Sequence, residues 1–97
     1  MINLKKLKRG DYLTIPNQHN VEPEFFKLCR EMIRPPFNDY DVFSEDGRAW
    51  IGELVHPKWG VNLKMGVLLY KNHVRKSNSN EVFKHFLAVE RYKHGVK

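Results

Sequence analysis

The sequence predicts an α+β domain: a small antiparallel sheet with two helices, one over about 21–34 and one over about 79–93. Three observations predict it. β-Branched and aromatic runs recur at Tyr12–Ile15, Tyr40–Phe43, Ala49–Val55 and Val67–Tyr70. Two longer segments carry apolar residues at helical spacing. Gly, Pro, Asn and Asp punctuate the gaps. The implied order is strand, helix, three or four strands, helix.

Residues 4–9 alternate leucine with basic side chains and read as an exposed lead-in to the turn Gly10-Asp11. Tyr12-Leu13-Thr14-Ile15 follows as a strand, and Pro16 closes it because proline has no N–H for a ladder. Asn17 to Asn20 is a polar loop. Asn20 can cap the first helix, and Glu22, Pro23 and Glu24 suit a first turn, where acids oppose the helix dipole. Phe25, Leu28, Cys29, Met32 and Ile33 form its apolar stripe, with Phe26 on the flank and Lys27, Arg30, Glu31 and Arg34 in water. Pro35-Pro36 ends it.

The middle of the chain reads as β. Tyr40–Phe43 and Ala49–Val55 flank Ser44–Arg48, whose Asp46-Gly47 pair predicts a hairpin. A loop with Pro57 and Gly60 leads to Val67–Tyr70, an apolar run suited to a buried strand that continues toward Val74. Asn78, three residues before Glu81, gives a capping-box pattern for the last helix. Val82, Phe83, Phe86, Leu87 and Val89 make its stripe, Lys84, Arg91 and Lys93 lie off it, and Gly95 stops it. The alternation Leu87, Val89, Arg91 keeps a strand as the alternative over 82–92. Trp50, Phe43, Phe83 and Phe86 are assigned to the core.

A chain of 97 residues with 41% hydrophobic and 29% charged residues is expected to fold as a single domain, 1–97. No apolar run approaches the roughly 18–20 residues of a membrane span, so no membrane partner is expected. The opening residues carry charge without an apolar stretch behind them and do not read as a secretory signal. One cysteine, Cys29, cannot form an internal disulfide, and a cytoplasmic location is expected.

The formal net charge is +6, and the excess lies wholly after Val55: residues 56–97 hold nine Lys/Arg against two acids, residues 1–55 eight against nine. A one-sided positive field draws polyanions, since neutralised phosphates release their counterions. The expected partner is therefore nucleic acid. Lys71, Arg75 and Lys76 before the last helix, and Lys84, Arg91 and Lys93 along it, are the candidate phosphate contacts. Trp59 and Tyr92, each beside cations, are the candidate stacking residues. No cluster of Asn, Gln and Arg at recognition-helix spacing appears, so sequence specificity is expected to be low. The acids Asp39, Asp41, Glu45, Asp46 and Glu53 are expected to turn a polyanion toward the opposite side.

Nothing in the sequence carries the signature of an enzyme, a cofactor site or a metal site. The acidic run from Asp39 lacks the glycine a calcium loop needs at its sixth position. His73, Asn80 and His85 only loosely match a His-Asn-His nuclease pattern, because Asn72 stands where a second ligand is needed. Cys29 on an apolar face is an inert thiol. Two alternatives remain: a phage- or plasmid-type interaction protein that docks on an acidic surface of a host protein and inhibits or redirects it, and, third, a small metal-dependent nuclease.

The stretch Leu7-Lys8-Arg9-Gly10-Asp11-Tyr12-Leu13-Thr14-Ile15 resembles the opening strand of small SH3-type barrels of the KOW or Tudor-like kind. Gly52, inside Ala49–Leu54, would suit the sharp bend of such a barrel. The resemblance implies an SH3-like barrel in which the helix over 21–34 is an insertion, and nucleic-acid or peptide binding on the barrel surface.

Overall fold

The computed structural model describes residues 3–16, 22–32, 47–70 and 73–95. Five strands form one antiparallel sheet: β1 (Tyr12–Ile15), β2 (Glu24–Glu31), β3 (Gly47–His56), β4 (Gly60–Tyr70) and β5 (Arg75–Lys76), in the order β4-β3-β2-β1-β5. A 3₁₀ turn, Leu4–Lys6, precedes them, and one helix, α1 (Ser79–Lys93), follows. The α+β class is as the sequence predicts. The predicted loop 17–20, the strand 40–43, residues 44–46 of its turn, and the acids Asp39 to Asp46 lie outside the described residues, while Gly47 and Arg48, expected in that turn, are the first residues of β3, paired with Tyr70 and Leu69.

Register sorts the side chains onto two faces. Leu13, Phe26 and Leu54 line up across β1, β2 and β3, and their side chains join Leu28, Trp50 and Leu69 in the core. Leu4 and Val74 close that face. One residue along each strand, Tyr12, Lys27 and Glu53 line up on the opposite face, under α1.

This two-sided cover corrects the first predicted helix. Residues 24–31 are β2, paired with β1 on one side and β3 on the other. A strand covered on both faces loses clean alternation, so adjacent apolar pairs such as Phe25-Phe26 and Leu28-Cys29 mimic helical spacing. Phe26 and Leu28 are fully buried in the core, whereas Phe25, Lys27 and Cys29 take the other, half-buried face. A register shift between Leu28 and Arg30 against β3 makes Cys29 an extra residue on β2. A second shift, between β3 and β4, starts from the same point, Gly52.

The last helix runs over its predicted length. Asn78 Oδ1 accepts the Glu81 N–H at 2.9 Å and Glu81 Oε1 accepts the Asn78 N–H at 3.0 Å, completing the capping box. Gly95, at φ +71, adopts the left-handed conformation that ends it. Its rotation, however, corrects the sequence reading. The buried side chains are Glu81, His85 and Val89, while Phe83 and Phe86, assigned above to the core, are 56% and 51% exposed. The cause is the tether at the first turn. Arg75 on β5 donates two hydrogen bonds to the Glu81 carboxylate, at 2.7 and 2.6 Å, and so draws Glu81 toward the sheet. With about 100° per residue, 85 and 89 then follow Glu81 inward, and 83, 86 and 87 point away. Trp50, also assigned to the core, is buried.

Candidate nucleic-acid interface

The loop joining β3 to β4 is built around His56. Its side chain is buried, and its Nδ1 accepts the backbone N–H groups of Lys58 at 3.0 Å and Trp59 at 3.1 Å. Two donors on Nδ1 put the ring proton on Nε2, which faces Glu24 Oε1 at 3.6 Å. Gly60, at φ +86, supplies the left-handed residue that brings the chain back into β4. Trp59 therefore stands at the tip with 84% of its surface exposed, and its indole stacks on the His56 ring, centroids 4.1 Å apart and planes 10° from parallel. One aromatic face is held and the other is open to solvent.

Beside this loop runs a groove of about 290 Å³, lined by Glu22, Pro23, Phe25, Val55, Pro57 and Lys84. Phe25 and Val55 are direct partners across β2 and β3, and Lys84 reaches the groove from α1. Lys84 and Pro57, at the base of the Trp59 loop, thus line the same groove. Arg91 follows Lys84 by seven residues, two helical turns, and extends the same flank. Glu22 lines the same groove, so the separation of cations from carboxylates expected from the sequence is incomplete here.

The remaining candidates lie elsewhere. Lys93 is nine residues after Lys84, half a turn out of phase, and occupies the opposite flank of α1. Tyr92 continues the stripe of His85 and Val89 by one more turn and is 53% exposed. Arg75 is forked on Glu81, and Lys76 lies 3.9 Å from Asp11. Lys71 lies outside the described residues. Among the described residues no carboxylate comes within ion-pair distance of Lys84, Arg91 or Lys93.

Beneath α1 sits a polar cluster. The His85 ring is buried, edge-on to Tyr12 at 5.2 Å between centroids, with Nε2 3.6 Å from Glu53 Oε1. Lys27 Nζ stands 5.4 Å from the Tyr12 ring centroid. Burial pushes the His85 pKa down, with Glu53 opposing and the Lys27 charge adding to the fall. His73 packs instead against Tyr70, 5.6 Å between ring centroids, and so has different neighbours from His85. No group of three or more His, Cys, Asp or Glu that could hold a metal ion occurs among the described residues. No helix among them is long and apolar enough to cross a membrane.

Sequence reasoning missed His56, the residue that orients the tryptophan. A usable signal existed in His56-Pro57-Lys58-Trp59-Gly60: a side-chain acceptor placed before a turn captures the turn's N–H groups. Compared with protein-family models, with curated proteins and with solved structures, the chain matches none.

Proposed function

We propose that this chain binds single-stranded nucleic acid with low sequence specificity and without catalysis, on the edge formed by Trp59, Lys84 and Arg91. The observation that carries the reading is the Trp59 stack on His56. An indole already held on one face offers the other to a base at little further ordering cost. Lys84, across the groove, is placed to meet a phosphate, and Arg91 continues the cationic track along the helix. The resemblance of the opening strand to small SH3-type barrels implies nucleic-acid or peptide binding as well, although the described strands form an open sheet and the segment 24–31 is a strand rather than an inserted helix.

The test is fluorescence anisotropy with labelled single-stranded DNA and RNA of mixed sequence. Binding should weaken steeply with salt, and Lys84→Glu with Arg91→Glu should lower affinity for all sequences alike. Trp59→Ala should remove about 1–3 kcal/mol of binding free energy. No binding at micromolar protein in low salt, or full affinity in Trp59→Ala, would refute the reading.

A further inference from the structure

The outward face of α1 carries an apolar ridge, interrupted by Glu90 and bordered by cations on both sides. Phe83, Phe86 and Leu87 are 56%, 51% and 37% exposed on the side away from the sheet. At about 100° per residue, Lys84 and Arg91 flank this ridge on one side and Lys93 on the other. A soluble domain rarely leaves contiguous aromatic surface in water unless a partner covers it.

Charge decides among the occupants. A second copy of this chain would have to pair ridge to ridge. In an antiparallel pair each flank meets its own counterpart, which sets Lys84 beside the other copy's Arg91. In a parallel pair the Lys84 and Arg91 flank meets Lys93. Either way cations face cations, on a chain whose net charge is already +6. A lipid surface fits no better, because Glu90 stands in the middle of the outward face, its carboxylate 3.4 Å from His94 Nε2, and opposes insertion among acyl chains, whereas a protein segment can leave a hydrated polar position opposite that carboxylate.

We propose that this face docks an acidic amphipathic segment of another protein, whose apolar side chains cover Phe83, Phe86 and Leu87 while its carboxylates meet Lys84 and Arg91 on one flank and Lys93 on the other. The interaction shares Lys84 and Arg91 with the nucleic-acid reading, but it rests on the ridge, whereas that reading rests on Trp59. It assigns the ridge the role of an apolar anchor and the flanking cations that of orientation and partner choice.

The probe is a synthetic helical peptide of Leu, Ala and Glu with a leucine stripe bordered by glutamates on both sides. Its control carries lysine at every glutamate position. The acidic peptide should bind saturably with a Kd below about 100 µM, and the lysine peptide should not bind. Phe83→Ser with Phe86→Ser should weaken binding at least about tenfold, with unchanged helical circular dichroism. Leu87→Gln provides a second, milder variant of the ridge and should weaken binding in the same direction. The double variant should still bind single-stranded oligonucleotide, so the two readings fail independently. Absence of saturable peptide binding, or equal binding by the double variant, overturns the proposal. So does self-association in sedimentation equilibrium that the double variant abolishes, or ridge-dependent adsorption to phosphatidylglycerol vesicles without peptide binding.

Discussion

The Trp59 indole lies nearly parallel to the His56 imidazole, 4.1 Å away, and the same imidazole accepts the N–H groups of Lys58 and Trp59. One buried ring therefore shapes the loop and holds its most exposed side chain. His56→Ala should cost about 1–2 kcal/mol of stability through lost hydrogen bonds and burial. It should also weaken oligonucleotide binding by about tenfold, because a freed tryptophan must be ordered on binding. His56→Asp separates the two effects. Its carboxylate can accept the loop N–H groups but offers no ring and stands near Glu24, so loop order should recover only in part and affinity should not. Chemical denaturation and anisotropy on the two variants check this.

The Arg75–Glu81 fork joins the edge strand to the first turn of α1. Arg75 holds the Glu81 carboxyl well below the usual carboxylate range, at about 2 against an ordinary value of 4.5. A depressed carboxylate stabilises the fold above its unfolded value and loses that contribution as pH falls through the folded one. The wild-type fold should therefore weaken between about pH 4.5 and pH 2 through this group. Glu81→Gln should lose about 2 kcal/mol at pH 7, a figure kept modest because the Arg75 side chain is half exposed. It should also flatten the acid limb of the stability profile, read by urea denaturation across pH.

Local signals carried the parts of this fold that were legible in the sequence. Asn78, Glu81 and Gly95 bound α1 at both ends, and Tyr12–Ile15 with Pro16 marks β1, because caps and proline act on their own neighbours. What was misread depends on distant contacts. β2 resembles a helix only because the core covers one of its faces and α1 the other. The rotation of α1 follows from Arg75 gripping Glu81, which no periodicity of apolar residues encodes. Of its apolar stripe, Val89 is buried, but Phe83, Phe86 and Leu87 face solvent rather than the core. The opposite placement of Lys84 and Lys93 was available from helical spacing alone. The exposure of Trp59 was not, since a tryptophan in a loop can equally cap a core, and only the stack on His56 decides it.

His85 makes a second pH limb, at milder acidity. Its ring is buried against Tyr12, Glu53 and Lys27, and burial favours the neutral form. A histidine whose folded pKa is depressed leaves stability intact above its unfolded value, near 6.5, and removes it as pH falls from there toward the folded value. The protein should lose stability from about pH 6.5 downward, well before Glu81 titrates. His85→Leu should abolish this limb while leaving the one below pH 4.5 in place. Thermal unfolding at pH 7.5, 6 and 5 separates the outcomes, and a wild-type profile flat across that range would contradict the assignment.

Gly52 marks where the sheet bends. Both register shifts of β3 begin there, and Lys27 of β2 approaches so closely that an added Cβ would lie 1.9 Å from its carbonyl oxygen and 2.9 Å from Phe26 Cζ. The carbonyl is backbone in a paired strand and cannot step aside without breaking the ladder that holds Phe26 in the core. Gly52→Ala should therefore cost about 3 kcal/mol or more through overpacking and strand displacement. Gly66, its near neighbour on β4, has only Met32 Sδ at 3.6 Å from the same added atom, an ordinary contact. Gly66→Ala should leave stability within about 0.5 kcal/mol of the parent, since it also restricts the unfolded chain. The contrast isolates the close approach from any general intolerance of alanine in these strands, and equal denaturation midpoints for the two variants would show that β2 and β3 do not meet at Gly52.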